Sequence, residues 1–80
     1  AGGGGGGTFV GENAGRHNGS SQNTFIGYSS GYANTTGNSN TFVGYGAGDA
    51  NTEGAYNTFL GEQSGDSHVT GSENTFVGSK

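Results

Sequence analysis

The tetrapeptide Thr-Phe-aliphatic-Gly occurs five times in this chain: Thr8-Phe9-Val10-Gly11, Thr24-Phe25-Ile26-Gly27, Thr41-Phe42-Val43-Gly44, Thr58-Phe59-Leu60-Gly61 and Thr75-Phe76-Val77-Gly78. The spacings are 16, 17, 17 and 17 residues, and all five Phe of the chain sit in the motif. From the second copy onward an Asn precedes the Thr, at Asn23, Asn40, Asn57 and Asn74. A second Gly follows at Gly15, Gly31, Gly48 and Gly65, each behind a small residue, Ala14, Ser30, Ala47 or Ser64. A third, at Gly37, Gly54 and Gly71, completes the pattern N-T-F-[VIL]-G-x-x-[AS]-G-x-x-x-x-x-G-x-x. The first copy is one residue shorter and lacks the third Gly in register, so it reads as an atypical end repeat. A flexible linker has no reason to hold Phe on such a grid.

The period is too short for helical repeats, which run to roughly 30 residues or more. Each copy has one Gly-bounded run of strand formers and a weaker one, seen around Thr35-Thr36 and His68-Val69-Thr70. Two short strands and two or three turns per copy predict one coil of a β-solenoid. The expected fold is therefore an all-β solenoid, or β-roll, of about four 17-residue coils. Its copies are residues 8–23, 24–40, 41–57 and 58–74, with a partial copy at 75–80. Coils stack at about 4.8 Å, which sets equivalent residues one above another. The columns Asn23, Asn40, Asn57, Asn74 and Thr24, Thr41, Thr58, Thr75 are expected to form a hydrogen-bonded ladder along the axis, with Gly at the left-handed corners. Residues 1–7, with six consecutive Gly, read as a tether or as a terminal strand ordered only by its neighbours.

Composition decides what else the chain needs. At 80 residues, 26% hydrophobic and without Cys, a lone core is marginal, and burial has to come from repetition or from partner chains. A formal charge of −4 with 10% charged residues is unlike a disordered tail. Arg16 and Lys80 are the only Lys or Arg residues, so neither nucleic acid nor an anionic membrane surface is an expected partner. No apolar run is long enough for membrane insertion.

Neighbouring side chains on a strand point to opposite faces. With Phe9, Phe25, Phe42, Phe59 and Phe76 inside, Val10, Ile26, Val43, Leu60 and Val77 form an aliphatic stripe outside; the converse placement exposes a Phe stripe instead. A continuous apolar stripe marks an interface, and parallel chains packed stripe to stripe about one axis close it. The expected partners are copies of the chain itself, with a homotrimer favoured. The alternative is a flattened coil in which a bulge after each Phe tucks both side chains under the Gly corners.

The stretch from Thr8 to Gly78 resembles the N-T-F-[VIL]-G-x-x-[AS]-G arrays of bacterial and phage trimeric fibre proteins, which often precede an endosialidase-type intramolecular chaperone. It is also similar to the left-handed β-roll repeats of trimeric autotransporter adhesin heads, from which it differs in coil length and in carrying Phe where those repeats have a smaller aliphatic residue. The resemblance implies a rod-like, oligomeric module on a cell or virion surface or outside the cell, which spaces or presents a binding tip. It carries over no catalytic residue.

Enzyme chemistry is not expected. His17 and His68 occupy different columns and read as solvated surface residues, and there is no P-loop. Gly44-Tyr45-Gly46-Ala47-Gly48 lacks the strand-turn-helix setting of a dinucleotide loop. No cofactor is expected, with calcium at Asp49 and Asp66, one coil apart in a shared column, as the only metal candidate. Tyr28 and Tyr45 share another column near Tyr32, an arrangement that offers a sugar-binding face for a cell-surface glycan or shields the Gly-rich turn. Asn18-Gly19-Ser20 and Asn34-Thr35-Thr36 match the N-glycosylation sequon. The Thr column, extended to Thr8, raises an ice-binding face as an alternative, although the residue two after each Thr is aliphatic. A self-assembling filament subunit, joined through open coil edges, is the remaining alternative.

Overall fold

The structure, a computed structural model, describes residues 7–65 and 70–79. Five three-residue strands, β1 (Thr8–Val10), β2 (Thr24–Ile26), β3 (Thr41–Val43), β4 (Thr58–Leu60) and β5 (Thr75–Val77), form one parallel sheet in sequence order. Register is strict. Phe9 pairs with Phe25, Phe25 with Phe42, Phe42 with Phe59 and Phe59 with Phe76. Because every strand pairs with the same residues of the next copy, the chain winds as a β-solenoid of about four turns.

Alternation along the strands decides the interior. Phe25, Phe42 and Phe59 are fully buried, while the aliphatic residue that follows each Phe faces away from the core. The flattened coil with both side chains enclosed does not occur. Successive Phe rings stack with centroids 5.2, 4.9, 4.7 and 4.8 Å apart and planes within 15° of parallel. Strand pairing imposes that spacing. Faces in contact at ~3.5–4.0 Å then require offset rings, the arrangement aromatic pairs prefer.

Room for the rings comes from the second Gly column. A methyl group at Gly48 would lie 2.5 Å from Cδ2 of Phe42, at a backbone φ of +62°. The glycine closing each of the first four strands meets its counterpart one coil on: a methyl group at Gly44 would fall 2.5 Å from the carbonyl oxygen of Gly61.

Between strands the coil is held by repeated bonds rather than by a second strand. The carbonyl of Thr52 accepts from the amides of Thr35, Thr36 and Gly37 in the preceding coil. Thr35-Thr36 therefore lies in a bend, not in the second strand its composition suggests; of its counterpart, His68 and Val69 lie outside the described residues and Thr70 is a bend. Other inter-coil bonds recur at 17-residue intervals, such as Gly44 N–H to the Ile26 carbonyl and Gly61 N–H to that of Val43, each 2.8 Å.

Candidate functional site

Among the described residues, more of the buried side chains are polar than apolar. Asn23, Asn40 and Asn57 are fully buried, as are Asn34 and Asn51, with Asn18 nearly so. The first set is linked coil to coil by rungs that run from backbone to side chain. The amide of Asn40 donates to Asn23 Oδ1 (2.9 Å), that of Asn57 to Asn40 Oδ1 (2.9 Å) and that of Asn74 to Asn57 Oδ1 (3.0 Å). Thr24, Thr41, Thr58 and Thr75 stand on the outer face of the sheet beside the aliphatic stripe, opposite the Phe stack.

A second file, Asn18, Asn34 and Asn51, bonds side chain to side chain. Asn34 Nδ2 donates to Asn18 Oδ1 at 2.6 Å, and Asn51 Nδ2 to Asn34 Oδ1 at 3.1 Å. The third Gly column links the two files. The Gly37 carbonyl accepts from Asn23 and Asn34 Nδ2 (3.0 and 2.8 Å), and the Gly54 carbonyl from Asn40 and Asn51 Nδ2 (2.8 and 3.1 Å). In the short first coil the Ser20 hydroxyl joins the network by donating to the Gly37 carbonyl. Ser30 and Ser64 hydroxyls donate to the carbonyls of Phe42 and Phe76 (2.9 and 3.1 Å). Buried amides with partners supply specific coil-to-coil contacts where an apolar chain would have none to spare.

This network reassigns the two sequons. Asn18 and Asn34 are members of the buried file, with their amides engaged, so the folded chain does not present them for glycosylation.

The outer face carries the remaining candidates. Val10, Ile26, Leu60 and Val77 are 55, 39, 36 and 75% exposed, and Val43 completes the row half-buried. One turn further round, Tyr28 and Tyr45 stack at 5.2 Å with planes 14° apart, as their shared column suggests. The Tyr32 ring meets exposed His17 edge-on at 5.0 Å, the planes 84° apart. Asp49 sits beside this group, while Asp66 and His68 lie outside the described residues. Among the described residues no three His, Cys, Asp or Glu side chains gather in a group able to hold a metal ion, and no helix is long and apolar enough to cross a membrane. No protein-family model, curated protein or solved structure matches the chain.

Proposed function

We propose that this chain is a structural or adhesive repeat module of an extracellular fibre, with copies packed in parallel about one axis, three per assembly. The observation that carries this reading is the row Val10, Ile26, Val43, Leu60, Val77, which runs the length of the sheet while the core behind it is already filled by Phe. A molecule this poor in hydrophobic residues gains by covering the few it exposes. Coil stacking keeps the row straight, so identical rows meet level by level around a cyclic axis. The module works by length and rigidity rather than by catalysis, and its partners are first of all copies of itself.

The chain has no Cys, so a single thiol reports cleanly. Val43→Cys on the stripe should form an interchain disulfide under mild oxidation, because equivalent residues approach within the ~7 Å Cα separation a disulfide tolerates. Thr35→Cys, off the stripe, should not. Equal crosslinking at both positions, or none at either, would contradict the parallel packing.

Axial growth into a filament is the second reading, favoured by the outermost places of β1 and β5 in the sheet among the described residues and by Phe76, 37% exposed at the end of the ring stack. Negative-stain microscopy of dilute chain separates the two: short uniform rods support lateral assembly, and long fibres support axial growth.

A further inference from the structure

Three residue columns wrap the turn that follows each strand. Glu12, Tyr28, Tyr45 and Glu62 form the first, and Arg16, Tyr32 and Asp49 the third. Between them runs Asn13, Ser29, Gly46 and Gln63, all with left-handed backbone, φ 65°, 56°, 66° and 53°. Ser29 and Gly46 are small where Asn13 and Gln63 are long, and the surface sinks between the flanking tyrosines. The result is a hollow of about 320 Å³ lined by Asn13, Tyr28, Ser29, Tyr32 and Asp49. That volume lies at the lower end of the ~300–1,000 Å³ range of small-molecule sites.

We infer that this hollow binds one neutral hexopyranose unit of a glycan. Tyr28, braced by its stack on Tyr45, and Tyr32, braced by His17, supply aromatic walls for the apolar C–H face of a sugar ring. Arg16 Nη1 donates to Asn13 Oδ1 at 3.1 Å, which leaves Asn13 Nδ2 as the donor toward a ligand. Ser29 lines the hollow, and the Asp49 carboxylate supplies an acceptor two coils from Asn13, about 10 Å further along the axis. Sugar hydroxyls both donate and accept, so a site with donors at one end and a carboxylate at the other orients the ring. Asp49 lines the hollow directly while the Arg16 guanidinium is turned to Asn13 Oδ1, so a neutral sugar is favoured over an acidic one. The site lies within one chain, so it stands or falls separately from the lateral packing.

The test uses the whole chain, ¹⁵N-labelled, titrated with the methyl glycosides of galactose, glucose and mannose and, in a separate arm, with N-acetylneuraminic acid. The expected result is saturable shifts of the Ser29, Tyr32 and Gly46 amides with at least one neutral glycoside. Ser29→Gln, which borrows the side chain Gln63 already carries in the same column, should weaken binding at least tenfold while the Phe42 and Phe59 amides stay in place. Asp49→Asn, which keeps the shape and removes the charge, should also weaken it. No saturable shift with any neutral glycoside, undiminished binding by Ser29→Gln, or preference for the acidic sugar would overturn the inference.

Discussion

At the scale of single residues, each repeated position does one job, and the jobs can be separated by substitution. Gly46 and Gly48 have nearly the same φ, +66° and +62°, yet a methyl group at Gly48 would strike the Phe42 ring, whereas at Gly46 its nearest neighbour is flexible Gln63 at 3.3 Å. Gly46→Ala should cost about 1 kcal/mol, the ordinary left-handed penalty. Gly48→Ala should cost about 2–4 kcal/mol, because overpacking is added. Urea denaturation of the two variants measures the difference, and equal costs would mean the rings are not packed against these corners. Asn40→Ala removes the acceptor of the Asn57 amide and a donor to the Gly54 carbonyl. A loss of about 2–3 kcal/mol in the same experiment is expected for a buried amide left without its partner.

At the scale of the coil, what could be read from the sequence depended on how each column is spelled. The strand and its Phe column were legible because Phe occurs nowhere else and the alternation of a strand leaves one inward side. The second strand was not there to be found: Thr35 and Thr36 have β-branched side chains, but their amides converge on a single carbonyl of the next coil. Gln22, Ser39, Tyr56 and Glu73 form a row with φ of 58–65° that contains no Gly or Asn to announce it. The amides of Ser39, Tyr56 and Glu73 each bond to a carbonyl of the preceding coil, which offsets their left-handed strain. The file Asn18, Asn34, Asn51 is hard to read from the sequence because the fourth copy has His68 where the register calls for Asn. Its signal was a nine-residue offset from Phe, masked by the sequons that share two of its members. Asn51 Oδ1 is buried and has no hydrogen-bond partner among the described residues, while the equivalent oxygens of Asn18 and Asn34 accept from the coil above. His68→Asn should extend the file and stabilise the fold by about 1 kcal/mol. A lower urea midpoint for that variant would show that position 68 does not continue the file.

At the scale of the whole molecule, the core is a Phe stack beside an Asn network, and the aliphatic residues are left to the outside. The sequence alone left open which apolar column faced in; the structure resolves this with Phe inside, and the stripe then becomes the surface to be covered. Ile26→Asp combined with Val43→Asp places charge at the centre of that surface without touching the interior. The pair should separate the chains while circular dichroism keeps its β signal, whereas simultaneous loss of signal would show that the stripe also supports the single coil. Sedimentation equilibrium of the unmodified chain over a wide concentration range tests the account most directly. A mass of about three times the 7.9 kDa of one chain is the expected result, and a single species of 7.9 kDa at every concentration, with the β signal intact, would contradict it.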